Sequence, residues 1–287
     1  MGENLRPDFE RGEEDFPPIR KMADNRPLLM GILNITPDSF YTESRYSADE
    51  AVKKAMKMIE HGADWIDIGG ESTRPGASAV SIEEEIDRVV PVIKRLRGIN
   101  DKVMISIDTR NPQVARQALE NGANMVNDVS GLRDKQMIDL IIEKNCAVCI
   151  MHMNGEPGNM QKNPTYHDVV EEVATYLEQQ AAELIDRGLP KELILIDPGI
   201  GFGKTQQHNL LLMKSAKRFQ KLGYGLLWGV SRKSVIGHIT EKANASERLS
   251  GTLGSSLFAA EMGVDMLRVH DVDEHNDLFK VYNVLKR

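Results

Sequence analysis

Two segments carry the densest chemistry, Asn34-Ile-Thr-Pro-Asp38-Ser-Phe40 and Glu71-Ser-Thr-Arg74-Pro-Gly76. Each follows a short apolar run and combines a carboxamide or carboxylate with hydroxyls; the second adds a guanidinium. Such groups bind anions and hard metal ions, so a phosphate-bearing ligand is expected. Other apolar runs end at Asp108, Asn127-Asp128, Met151-His152, Asp197, Ser231-Arg232-Lys233-Ser234 and Arg268-Val269-His270. Asp108, Asn127, Asp197 and Lys233 mix acceptors and donors, with neither the order of a Ser-His-Asp triad nor the paired carboxylates of a glycosidase. A carboxylate facing an amide N–H and an exocyclic amine makes two parallel charge-assisted bonds. The set suits a flat 2-amino-4-oxo heterocycle such as a pterin or guanine. Arg268, His270 and Asn34 suit a diphosphate with Mg²⁺, because Mg²⁺ keeps waters and substrate oxygens and needs few protein ligands. An Arg inside an apolar strand also needs a buried partner.

These residues must be held by the elements around them. Strand-length apolar runs occur at Leu28–Leu33, Trp65–Ile68, Val103–Ile107, Met125–Val126, Ala147–Met151, Leu193–Ile196, Leu226–Val230 and Met266–Val269. Their near-continuous hydrophobicity suits strands covered on both faces, as in a parallel sheet. Helix signals fall between them: capping boxes at Ser47-x-x-Glu50 and Ser81-x-x-Glu84, and Asn111-Pro112 with proline at the first helical position. Gly62, Gly98, Gly122, Gly188, Gly223 and Gly263 read as helix stops. His61-Gly-Ala-Asp-Trp-Ile-Asp67, Asn121-Gly-Ala-Asn-Met-Val-Asn127 and Met262-Gly-Val-Asp-Met-Leu-Arg268 are near-copies of one helix–Gly–strand junction, each ending in a polar tip. The pattern predicts a single-domain α/β fold, an eight-stranded parallel βα (TIM-type) barrel over residues 27–287. Residues 1–26 lack periodicity and read as an irregular extension. In such a barrel the chemistry gathers where strands end and βα loops begin.

Composition narrows the function. A net charge of −7 argues against a nucleic-acid binder, which needs a positive footprint. No apolar stretch reaches the roughly 20 residues of a membrane span, and the acidic first residues lack a signal-peptide core, so a cytosolic location is expected. Cys146 and Cys149 form a C-x-x-C, but in an apolar strand an odd offset points the thiols to opposite faces, so both read as reduced structural groups. Gly199-Ile-Gly-Phe-Gly-Lys204 fits neither a P-loop nor G-x-G-x-x-G. It reads as a turn that brings backbone and Phe202 to a flat ligand, with Lys204 in solvent. Glu83-Glu84-Glu85 reads as a solvated first helical turn.

At these residues the chain resembles the pterin-binding enzyme family and, within it, the dihydropteroate synthases. The resemblance runs from about Pro27 to Arg287. It rests on Met30-Gly-Ile-Leu-Asn-Ile-Thr-Pro-Asp-Ser-Phe40, Asp67-Ile-Gly-Gly-Glu-Ser-Thr-Arg-Pro-Gly76, Ile107-Asp-Thr109, Asn127-Asp-Val-Ser-Gly131, Met151-His-Met153, Asp197-Pro-Gly199, Ser231-Arg-Lys-Ser234 and Arg268-Val-His-Asp271. It implies condensation of 6-hydroxymethyl-7,8-dihydropterin diphosphate with p-aminobenzoate, in a homodimer of the class targeted by sulfonamides. By the same resemblance Asp108, Asn127, Asp197 and Lys233 grip the pterin, with Met151 and Phe202 beside it. Asn34, Arg268 and His270 hold Mg²⁺ and diphosphate. Thr73, Arg74, Pro75, Phe40 and Ser234 shape the p-aminobenzoate pocket. With no covalent nucleophile poised beside a base, dissociative loss of diphosphate is expected, with Asp38, Arg74 and Lys233 as catalytic residues and the first two loops as lids. The family pattern departs at Tyr41-Thr-Glu-Ser-Arg45 and at Val235. Two other readings compete: a methyltetrahydrofolate–corrinoid methyltransferase, which needs no diphosphate site, and a non-catalytic pterin-binding barrel.

Overall fold

The computed structural model describes residues 17–20, 26–35, 44–71, 80–155, 158 and 160–286, with backbone alone for 44–47. The expected roles of Asp38, Phe40, Thr73, Arg74 and Pro75 fall outside the described residues. Eight strands form a closed barrel in chain order: β1 (Leu28–Asn34), β2 (Trp65–Gly69), β3 (Met104–Asp108), β4 (Met125–Asp128), β5 (Ala147–Met151), β6 (Ile194–Asp197), β7 (Gly225–Trp228) and β8 (Met266–Val269). Every neighbouring pair is parallel, and β8 closes onto β1. The surrounding helices are α1 (Ser44–Glu60), α2 (Ile82–Ile99), α3 (Pro112–Glu120), α4 (Lys135–Lys144), α5 (Val169–Asp186), α6 (Gln206–Lys214), α7 (Ala216–Gln220), α8 (Ser234–Thr240), α9 (Leu249–Glu261) and α10 (Val272–Lys286). Nearly all strand residues are buried, as expected for strands covered by side chains inside and helices outside. No described helix is long and apolar enough to cross a membrane.

Register decides which side chains meet. Met30 pairs with both Arg268 and Trp65, Ile32 with Asp67, and Asn34 with Gly69. Gly69 pairs with Asp108, Asp108 with Asn127, Asn127 with Cys149, and Met151 with Asp197. Partners across a parallel ladder share a face, and so do residues two apart on one strand. These pairings therefore carry Asn34, Asp67, Asp108, Asn127, Met151, Asp197 and Arg268 onto one face, the barrel interior. Cys149 lies on that face and Cys146 precedes β5; both are free and buried. Burial pushes both thiols up in pKa, so neither is poised as a nucleophile.

Local signals are kept with two exceptions. Ser81 caps α2 by accepting the Glu84 amide, and Pro112 opens α3. Gly62, Gly122, Gly188, Gly223 and Gly263 have positive φ after their helices, whereas Gly98 lies inside α2, which ends at Ile99 with Asn100 as its C-cap. The first crossover helix starts at Ser44, so Ser47 sits within α1 and does not cap it.

Pro17–Arg20 lie across the pole where strands begin. Ile19 is buried, the Pro18 carbonyl accepts Trp65 Nε1 at 2.8 Å, and Arg20 donates to the Gly223 carbonyl at 2.7 Å. The segment thus covers the starts of β2 and β7. Ile19→Ala is expected to cost about 2–5 kcal/mol, the usual range for truncating a buried Ile. Urea unfolding checks this, while turnover per folded molecule stays unchanged because the opposite pole is untouched.

Candidate functional site

The strand ends converge on one carboxylate. Asp67, fully buried on β2, uses a single oxygen, Oδ2, to accept Arg268 Nε at 2.5 Å and Asn127 Nδ2 at 3.2 Å. Arg268 also reaches across the barrel, its NH2 donating to Asp108 Oδ2 at 2.6 Å. The three residues joined at Asp67 Oδ2 are the polar tips of the three repeated junctions, which the closed barrel turns inward. Because the Asn127 amide nitrogen is committed to Asp67, its carbonyl oxygen is left to face a ligand donor. Asp67 Oδ1 and Asp108 Oδ1 are both buried without a hydrogen bond from any of the described residues. Buried acceptors of this kind await donors from a ligand or water.

Asp197 and Lys233 form the second part. Asp197 Oδ1 accepts the Gly199 amide at 2.7 Å. Lys233 Nζ donates to the Ile200 carbonyl at 2.5 Å and lies 4.4 Å from the centre of the Phe202 ring. A Cβ added at Gly229 would stand 3.8 Å from Asp197 Oδ2 and 3.9 Å from the Arg268 side chain. One at Gly69 would stand 3.4 Å from Asp108 Cβ and 3.6 Å from Asn34 Oδ1. The missing side chains leave room between the polar groups for a flat ring. Val129, Met151, Met153, Met160 and Phe202 form a separate small apolar cluster at this end. The site therefore offers polar edges and an apolar plate, as an aromatic heterocycle requires.

Electrostatics follow from burying many charges together. Burial pushes the Asp197 carboxyl up, opposed by Lys233, the Gly199 amide, Lys204 and Arg268. Burial also raises Asp108, with Arg268 opposing and Asp67 adding to the rise. Burial brings Lys233 down to about 8 against the pull of Asp197. Burial alone would lower Arg268, but Asp67 and Asp108 outweigh it and hold the guanidinium charged. Such a site can bind a polar ring and stabilise charge.

Of the remaining predicted residues, His270 follows β8, its Nδ1 lying 3.0 Å from Ser231 Oγ, which also accepts the His270 amide at 3.2 Å. Ser234 is exposed in the first turn of α8, and no hydrogen bond joins it to the polar cluster. Val235 is buried behind it. Asp128 is structural, accepting the Ser130 and Leu132 amides. Two expectations are corrected. Glu85 is not solvated: it is fully buried against Gly70, accepts Asn111 Nδ2 at 2.6 Å, and is raised in pKa by burial. Lys204 is not in solvent either, being only 3% exposed, because its long stem follows the turn inward to a set of acceptors. Asp67 was absent from the predicted site; its signal was a carboxylate in the middle of an apolar strand, at the tip of a repeated junction.

A closed parallel barrel with a cluster of buried polar side chains and an apolar plate at its strand ends fits a βα-barrel enzyme for a heterocyclic substrate. The profile of the pterin binding enzyme family matches residues 30–270. The chain is 44% identical over 258 residues to the dihydropteroate synthase of Escherichia coli K12, covering 90% of this chain and 91% of that protein. It is 42% identical over 257 residues to that of Haemophilus influenzae, covering 89% and 93%. Among solved structures, Xanthomonas albilineans dihydropteroate synthase with 4-aminobenzoic acid superposes with a TM-score of 0.84 at 41% identity, covering 92% of this chain and 94% of that one. The chain belongs to the dihydropteroate synthases of the pterin-binding enzyme family.

Proposed function

We infer that the chain condenses 6-hydroxymethyl-7,8-dihydropterin diphosphate with p-aminobenzoate, giving 7,8-dihydropteroate and diphosphate in folate biosynthesis. The observation that carries this is the junction at Asp67, which ties a ring-facing carboxamide to an arginine suited to diphosphate within one buried network. Xanthomonas albilineans dihydropteroate synthase has been solved in complex with 7,8-dihydropteroate, and the present chain superposes on it with a TM-score of 0.82.

In this reading Asp197 accepts from the amide and amine of the pterin, and Asp108 and Asn127 take further donors. Lys233 donates to a ring acceptor. Arg268, with its guanidinium held at the network's edge, and His270, oriented by Ser231, meet the diphosphate. The carboxamide of Asn34 is a hard neutral oxygen donor at the same end of the barrel, and it fits Mg²⁺, which takes few protein ligands. Asn34 would hold that ion, which when bound neutralises charge on the diphosphate. The C–O bond to diphosphate breaks before the arylamine attacks. The cation formed on the pterin is stabilised by the nearby carboxylates, where a unit charge pair at ~4 Å is worth about 4 kcal/mol at an effective dielectric near 20. Asp38 and Arg74 act as lids that keep water away, and Thr73, Pro75, Phe40 and Ser234 receive the arylamine. The setting is cytoplasmic. A homodimer is favoured by the exposed Ile239, Val281, Val284 and Leu285 on α8 and α10.

The test is diphosphate release from pterin diphosphate. Release is expected to require both p-aminobenzoate and Mg²⁺, and chelation with EDTA should stop it. Tight pterin binding without release would instead favour a non-catalytic barrel.

A further inference from the structure

The turn after β6 holds a buried cation that the proposed chemistry leaves unused. Lys204 Nζ lies 3.0 Å from His152 Nδ1 and donates to the carbonyls of His152 at 3.2 Å and Phe202 at 2.9 Å. His152, just past β5, is itself buried, with its ring edge-on to Tyr176 at 5.2 Å between centroids. Its amide donates to the Asp197 carbonyl at 3.0 Å. The turn passes so close to His152 that a Cβ at Gly199 would stand 1.8 Å from the His152 carbonyl oxygen. Positive φ and zero side-chain volume are both required there.

Burying an ammonium is costly, and the cost is met only by hydrogen bonds. Holding the turn in place does not by itself require that cost. Its outer side is already fixed by Tyr166 Oη donating to the Gly203 carbonyl at 2.9 Å and Gln161 Nε2 to the Gly201 carbonyl at 2.6 Å. The inner side bears on the site. The same short segment supplies the Gly199 amide to Asp197, and the Ile200 carbonyl and Phe202 ring to Lys233. Its position sets the spacing of both groups.

We propose that Lys204 is a positioning residue for the pterin end of the site, its ammonium bridging His152 and Phe202 so that the turn presents Asp197 and Lys233 to the ring at a fixed distance. Burial lowers both partners, and the ammonium is fully formed only below neutral pH. Burial holds His152 down at about 3, so its ring is a neutral acceptor. Burial brings Lys204 to about 7, opposed by Asp197 and assisted by Lys233.

This inference rests on the pterin reading, and calorimetry of the intact chain with 6-hydroxymethylpterin separates the two. Lys204→Met should weaken pterin binding about tenfold, the loss of one hydrogen bond from a charged donor, while the KM for p-aminobenzoate stays within about twofold. Tyr166→Phe, which loosens the same turn from outside, should lower the melting temperature and leave pterin affinity alone. Should Lys204→Met not fold, His152→Leu removes one acceptor of the same ammonium and should produce a smaller loss in the same parameter. Unchanged pterin affinity in the folded variant overturns the inference, as does an equal loss in Tyr166→Phe. Wild-type protein that ignores 6-hydroxymethylpterin overturns the pterin reading and this inference with it.

Discussion

An Asp197→Ala variant is expected to lose affinity for pterin diphosphate by about a hundredfold or more. Two charge-assisted bonds to the ring disappear, each contributing about 1.5–3 kcal/mol. Lys233 loses its nearest opposing charge at the same time, and burial then drives its ammonium further toward the neutral form. Affinity for p-aminobenzoate, measured in the presence of diphosphate, should change far less, because Asp197 stands at the pterin end of the recess. Calorimetric titration of the variant decides it. Unchanged affinity would remove Asp197 from the ring contacts.

Arg268→Met should be the most damaging single change to both stability and turnover. It deletes the cation bonded to Asp67 Oδ2 and Asp108 Oδ2 and leaves two carboxylates buried together. Breaking a buried pair from one side costs about 3–5 kcal/mol. The deficit should depend on pH, with a sign fixed by linkage. Asp108 already has its folded-state pKa raised by burial, and losing Arg268 raises it further. A buried acid of this kind binds more protons when folded than when unfolded, so its contribution to stability falls as pH rises from the unfolded toward the folded value. Urea unfolding should therefore show a large loss at pH 8 that shrinks toward pH 5. An equal loss at both values would contradict the charge-balance account. The KM for pterin diphosphate should rise as well if, as proposed, the same guanidinium meets the diphosphate.

The barrel was legible because its signals are local and repeated. Eight apolar runs and a glycine-terminated junction used three times need no long-range information, and the strands fall within a few residues of those runs. The direction of site residues at strand tips was legible too, since alternation in a strand fixes which side chains share a face. What was not legible were bonds between tips distant in sequence. Asp67 and Arg268 are separated by 201 positions, and only closure of β8 on β1 brings them together. Lys204 and Glu85 were misread for a related reason. A charged residue beside a glycine turn or in a run of glutamates looks solvated, and only tertiary packing shows that one member turns inward. Ser47 and Gly98 were misread because capping and stopping residues are also tolerated inside helices when packing extends the element.

Ile19 and its neighbours fasten the chain to the pole opposite the recess, and α10, running antiparallel to the strands as barrel helices do, finishes toward that same pole. A fluorescent label, surface tether or fused partner joined at the end of α10 would stand behind the catalyst, leaving the approach of both reactants open. Shortening the chain past Pro18 is another matter, since that cut would unseal the base of the scaffold.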